Sequence, residues 1–224
     1  MIEELEPVAA RPANLTEIVF RRIRDGIVNQ SIAPGSRVSE SSLAAALQVS
    51  KTPVRESLLR LLHVGLVENT ERGLRVVMPN VEITQAAFEL RAGLEATSAR
   101  LAAARVLPAE QLHIEREANA SLLAAKGGDS ERFRRHDEAF HTLVAHASKN
   151  ELVRRAVGDA LVLTSVLRAR DFRVVGHNSV SCAQDHVRIA EAIASNEEAS
   201  AAMLMDTHVQ RVMGIVLNSM AKAS

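Results

Sequence analysis

Asp137, His141, His186 and His208 are the residues in this chain whose types and spacing suit metal chemistry. Asp137 and His141 are four apart in a stretch where Phe133, Phe140 and Val144 recur at helical spacing, so both side chains leave one face of one helix. His186 shares an apolar stripe with Cys182, Ile189 and Ile193, and His208 shares one with Leu204, Val212 and Ile215. Polar groups on apolar faces are costly unless satisfied. A hydrogen-bonded core histidine is one way to satisfy each, and residue by residue that reading stays open. A shared divalent ion is the other. One carboxylate and three imidazoles suit Zn²⁺, and suit Ni²⁺, Co²⁺ or Mn²⁺ if water or ligand oxygens complete an octahedron. Such an ion with one aspartate leaves positive charge in a low-dielectric cavity, which calls for an anion. His63, His113, His136, His146 and His177 fit no pattern and read as surface or incidental core groups.

A second stretch, Ser39 to Leu66, carries a different chemistry. Ser39 is placed to cap a short helix whose apolar face is Leu43, Ala46 and Leu47. Gln48-Val49-Ser50 breaks the pattern. Ser50 is placed to cap a second helix, where Pro53 is tolerated in the first turn. Val54, Leu58, Leu61 and Leu62 give its buried face, while Lys51, Thr52, Arg55 and Glu56 lie exposed near its start. Two short helices with a basic, hydroxyl-bearing second N-terminus are what a helix-turn-helix needs to enter a major groove. Two short β-rich runs follow, Leu66–Thr70 and Leu74–Val77, joined through Glu71-Arg72-Gly73, with Gly where positive φ is cheap. A hairpin directly after a recognition helix is a wing, with Arg72 and Gly73 at its tip.

The elements that must hold these residues are mostly helices. The 224 residues allow two modest domains. Hydrophobic content is 47% but aromatics are 2%, so the packing is aliphatic and favours helices over a sandwich or barrel. Residues 1–13, with Pro7 and Pro12, read as a flexible arm, and Asn14 is placed to cap a helix over Leu15–Gln30. From residue 80 on, helices are expected over about 82–104, 108–126, 129–148, 151–167, 179–195 and 197–220, punctuated at Pro108, Gly127-Gly128, Asn150, Gly176 and Asn196. The fold class is mainly α: a winged helix-turn-helix over 14–79, then an all-helical bundle over 80–222.

Net charge is zero, with a local basic excess of nine Lys+Arg over six Asp+Glu across residues 12–79. Cys182 is the only cysteine, so no intrachain disulfide is possible. No apolar run approaches the roughly 18 residues of a membrane span. The N-terminus, with Glu3, Glu4 and Glu6, is no secretory signal. A cytoplasmic protein is expected.

Residues 14–79 resemble the DNA-binding domain of the GntR family of bacterial transcription regulators. Ile32-Ala33-Pro34-Gly35-Ser36-Arg37, Glu40, Leu43-Ala44, Val49–Glu56, Leu58, Leu61, Gly65-Leu66-Val67 and Gly73 carry the likeness. Lys51 stands where the family usually has Arg, and lacks the bidentate fork; Ser41 replaces a basic contact of some relatives. Both departures bear on base preference. The bundle is similar to the FCD-type ligand-binding domain of the FadR branch. That resemblance implies a metal site of Asp-x-x-x-His, a second His in an Asp/Glu-His-x-x-Ile segment and a third in the last helix: here Asp137–His141, Asp185–Ile189 and His208. It also implies that Arg91, of an Arg-x-x-x-Glu pattern ending at Glu95, contacts an effector carboxylate; the alternative is an intrahelical Arg91–Glu95 ion pair. Arg168 and Arg170 are further candidates for that contact.

The expectation is therefore a homodimeric, ligand-responsive regulator of double-stranded operator DNA, a repressor released by a small organic acid. Lys51, Thr52 and Arg55 would approach bases and phosphates, Arg72 and Gly73 the wing contact, with Pro79-Asn80 and the first bundle helix as transmission path. Two rivals remain: a metal-sensing repressor, in which the ion is the signal, and a metal-dependent enzyme. The enzyme lacks an obvious base, because Glu138, next to Asp137, should point to another face.

Overall fold

The computed structural model describes residues 14–168 and 178–223. The expected arm at 1–13, Arg170, the break at Gly176 and His177 lie outside the described residues. The chain divides into two compact units between Met78 and Pro79.

In the first unit α1 (Asn14–Val28), α2 (Glu40–Leu47) and α3 (Lys51–Val64) precede the hairpin of β1 (Val67–Thr70) and β2 (Gly73–Val76). Val19, Phe20, Ile23 and Ile27 of α1 are buried with Val54, Leu58 and Leu61 of α3, and Leu66, Val67, Val76 and Val77 extend that core under the hairpin. The strands pair antiparallel from Val67–Val76 to Thr70–Gly73. Ser39 caps α2, its side chain accepting from the Ser42 amide at 3.1 Å. Three local expectations change. Ser50 stands at the N-cap of α3 but its side chain makes no cap bond. The buried residue of α2 is Ala44, while Ala46 is exposed; positions 43, 44 and 47 share one helical stripe and 46 falls on its flank. α1 ends at Val28, two residues early, because Gln30 turns to a positive φ of 62°.

The second unit contains α4 (Val81–Arg105), α5 (Pro108–Lys126), α6 (Ser130–Ala147), α7 (Glu151–Arg168), α8 (Asn178–Ala194) and α9 (Glu198–Ala223). Asn80 caps α4 by accepting from the Ile83 amide at 2.8 Å, and Asp129 caps α6 by accepting from Arg132. α4 packs against α6, α7, α8 and α9, and α5 against α6 and α8. α4 can be so central because it buries Ala87, Ala92, Ala99, Ala102 and Ala103, whose small side chains let neighbouring helices come close. Phe88, Ile114, Phe133, Phe140, Ile189, Ile193, Val209 and Val212 fill the core around them. No described helix is long and apolar enough to cross a membrane.

Candidate functional site

The bundle brings Asp137, His141, His186 and His208 together. One ligand-type atom from each lies within 4.8 Å of all the others, and all four residues are buried. α6 delivers Asp137 and His141 from successive turns, α8 delivers His186 and α9 His208. His186 Nε2 is 3.3 Å from His208 Nε2 and 3.5 Å from Asp137 Oδ1; His141 Nε2 is 3.9 Å from the same oxygen. Metal bonds of about 2.0–2.2 Å place neighbouring ligand atoms about 3–4 Å apart; the pairs at 3.3, 3.5 and 3.9 Å lie in that range, and those nearer the 4.8 Å limit would draw in on a shared ion.

The outward ring nitrogens explain which atoms face inward. His141 Nδ1 bonds the Glu95 carboxylate, and Glu95 is buried on α4. His186 Nδ1 meets Ser121 Oγ of α5 at 3.1 Å. His208 Nδ1 stands 3.5 Å from Asp185 Oδ2, which Arg211 holds at 2.7 Å. For His141 and His186 the partner at Nδ1 selects the tautomer whose Nε2 lone pair points inward, the arrangement that orients metal-bound imidazoles, whereas His208 Nδ1 has Asp185 near it but no hydrogen bond among the described residues. Among the described residues His141 Nε2 is then buried with no hydrogen-bond partner, and the Nε2 atoms of His186 and His208 face each other at 3.3 Å, where only one of the two can donate. An orphaned acceptor beside two others is poorly explained as a finished hydrogen-bonded core; the donor set fits a divalent ion. Phe140 stacks on His186 at 4.4 Å between ring centroids and fixes its plane.

Electrostatics prepare the same atoms. Burial pushes His186 well below, and His208 below, the usual imidazole range, with neighbouring imidazoles adding to the shift, so both rings are neutral and free to coordinate. For Asp137 burial opposes ionisation, but the Arg168 guanidinium above all, with Arg91 behind it, holds the carboxyl far below its ordinary value. Glu95 is lowered to about 2 against a large burial penalty, through Arg91 and then His141. Burial, reinforced by Asp137, raises the Cys182 thiol to about 11, so it stands beside the cluster as a neutral thiol.

Arg91 forms the ion pair that the sequence left as the alternative. Its Nε donates to Glu95 Oε1 at 2.5 Å and its Nη1 to Thr164 Oγ1 at 3.4 Å, with the side chain 2% exposed. Arg91 thus reaches the cluster through Glu95 and His141. Arg168, at the end of α7, lies 3.7 Å from Asp137 Oδ2. Glu138 is exposed and paired with Arg134, away from the cluster.

In the first unit Lys51, Thr52 and Arg55 are exposed on the first turns of α3. Arg55 grips Glu40 of α2 with Nε at 2.8 Å and Nη2 at 2.9 Å, which fixes its guanidinium beside the helix tip. At the wing, Gly73 has φ +102° and Thr70 Oγ1 donates to its carbonyl at 2.7 Å. Arg37 donates to the Arg72 carbonyl, bracing the backbone whose side chain points into solvent.

Sequence reasoning did not assign Ser121, the second Glu95 oxygen, Asp185 as a partner of His208, or Arg37 and Glu40 as braces. Glu95 carried a signal as an acidic residue one turn from Arg91, and Asp185, Arg37 and Glu40 carried one only as members of the quoted motifs.

Comparison with known proteins agrees with both units. Residues 15–76 match the bacterial regulatory proteins of the gntR family, and residues 86–211 match the FCD domain. The HTH-type transcriptional repressor RspR of Escherichia coli (strain K12) is 24% identical over 213 residues, covering 95% of this chain and 92% of that protein. An HTH-type transcriptional regulator in the unstable DNA locus of Streptomyces ambofaciens is 30% identical over 204 residues, covering 87% and 81%. The solved structure of E. coli McbR/YncC has a TM-score of 0.73 to this chain over 92% of it and 98% of that chain, at 18% identity, a likeness of fold alone. The first two are named as transcriptional regulators, and the chain belongs to the GntR family of bacterial DNA-binding transcriptional regulators, in the FadR-type branch that carries an FCD domain.

Proposed function

We propose that this regulator is a homodimeric repressor of double-stranded operator DNA, released by a small organic acid that binds at a divalent metal held by Asp137, His141, His186 and His208. The observation that carries the reading is the buried set of four ligand-type atoms within 4.8 Å, with an orphaned His141 Nε2 among them. Zinc is the ion we favour; nickel, cobalt or manganese would use the same donors. When bound, the ion supplies a Lewis-acidic centre for carboxylate oxygens. Glu95, Ser121 and Asp185 orient the imidazoles, and Arg91 supports Glu95. Repression is favoured because a relative spanning nearly the whole chain is named a repressor.

In the DNA-binding unit we assign Lys51, Thr52 and Arg55 to the major groove and Arg72 with Gly73 to the wing contact. Uncapped amides at the α3 start favour a phosphate there. Residues 14–79 form the DNA-binding domain in this reading, and residues 80–222 the effector-binding and dimerisation domain.

The test is fluorescence anisotropy on an operator selected from random duplexes. Metal-loaded and metal-free protein are compared, each with and without a panel of small organic acids. An acid that weakens operator binding only in the metal-loaded protein supports the reading. Operator affinity that follows metal alone, with no acid effect, would replace it with metal sensing.

A further inference from the structure

Three carboxylates, Asp137, Glu95 and Asp185, stand around the imidazole cluster with the guanidiniums of Arg168, Arg91 and Arg211, and the exposed Arg188 also reaches Asp185 at 3.9 Å. The carboxylates do not outnumber the guanidiniums, and imidazoles coordinate metal as neutral rings. A divalent ion therefore leaves two positive charges uncompensated in a buried site. One monocarboxylate answers only half of that.

The three arginines are not equivalent. Arg91 is held by Glu95 at 2.5 Å and is 2% exposed; Arg211 is held by Asp185 at 2.7 Å. Both have a carboxylate of their own. Among the described residues Arg168 has Asp137, at 3.7 Å, too long for a hydrogen bond. Asp137 presents Oδ1 to the His141 and His186 nitrogens and Oδ2 to Arg168. An ion that took up the Asp137 charge would leave Arg168 with no other carboxylate paired to it among the described residues. Its side chain is 21% exposed, enough to be reached and too little to be well hydrated.

We propose that the effector is a dianionic, metal-chelating dicarboxylate, and that Arg168 is the residue that receives its second carboxylate. This rests on the acid-at-metal reading above. One carboxylate with a neighbouring hydroxyl or keto oxygen chelates the ion, and the distal carboxylate meets the Arg168 fork, a match of charge and geometry that an ammonium lacks. Arg91 remains a support of Glu95.

Isothermal titration of metal-loaded full-length protein tests this, using the matched pairs malate with lactate and 2-oxoglutarate with 2-oxobutyrate. Metal content of every variant is measured beside it. Wild type should bind at least one dicarboxylate at least about tenfold more tightly than its monocarboxylate partner, the scale of one charge-assisted hydrogen bond. Arg168→Gln should keep its metal and erase that preference, and Arg168→Lys should restore part of it. A preference that survives Arg168→Gln, or the absence of any preference in wild type that binds both members of a pair, would overturn this proposal alone. No binding of any of the four acids to metal-loaded wild type would overturn it together with the reading beneath it.

Discussion

Replacing Glu95 by Gln should separate two jobs done by one buried carboxylate. Glu95 is 1% exposed and accepts from both Arg91 and His141. The substitution keeps the shape and removes the charge, leaving the Arg91 guanidinium buried and uncompensated. Breaking a buried pair by removing one partner costs about 3–5 kcal/mol. Against a total stability of about 5–15 kcal/mol, that is a large fraction. Urea denaturation of metal-free protein, followed by helical circular dichroism, should show a loss near the lower end, about 3 kcal/mol, because the amide still offers His141 an acceptor. Metal affinity, measured by competition with a chromophoric chelator, should fall about tenfold, the smaller end of the effect of losing an outer partner. The double variant Arg91→Met with Glu95→Gln should recover most of the stability, since the unpaired charge is gone, but not the metal affinity. Recovery of both, or a Glu95→Gln single variant indistinguishable from wild type in urea, would refute the assignment of Glu95 as the link between Arg91 and His141.

Arg55→Ala should abolish the operator shift in a gel while leaving circular dichroism and the melting temperature unchanged, because its pair with Glu40 is exposed; a retained shift with native spectra would count against its DNA role. Gly73→Ala should destabilise the wing by about 1 kcal/mol, since φ +102° is disfavoured for any L side chain, and should weaken operator binding; unchanged binding by anisotropy would remove Gly73 from the interface. The metal-free protein should lose stability on acidification from pH 7.5 to 5.5. His186 and His208 have folded pKa values below the ordinary 6.5, so below that pH the unfolded chain binds protons that the folded chain refuses. Each ring contributes a slope of up to about 1.4 kcal/mol per pH unit, and a melting temperature flat across that window would contradict the burial of neutral imidazoles.

The helices were legible because aliphatic residues recur at helical spacing between clear breaks at Pro108, Gly127-Gly128, Asn150 and Asn196. The four cluster residues were legible for a related reason: an imidazole or carboxylate on an apolar stripe breaks an otherwise uniform face. Partners of those residues left no such mark. Ser121 sits among alanines where a small hydroxyl is unremarked, and its value depends on α5 lying against α8, which no local pattern encodes. Asp185 stood in the Asp185–Ile189 pattern without a role of its own and Arg211 carried no mark, and the meeting of α8 and α9 brings them together behind His208. In the winged helix, Arg37 and Glu40 carried the family likeness without a role; their contacts to Arg72 and Arg55 bridge segments 35 and 15 residues apart. Ser50 shows the opposite error, since its residue type suited a cap bond that the structure does not form.

The proposed regulation turns on a metal ion held by Asp137, His141, His186 and His208. Elemental analysis of tag-free protein, wild type beside His186→Ala, tests it most directly. About one equivalent of a divalent transition metal per chain, lost in the variant while circular dichroism stays native, is the predicted result and names the ion. No metal in wild type, even after reloading and desalting, would contradict the claim and make the buried cluster a polar core network in a regulator whose effector binds elsewhere.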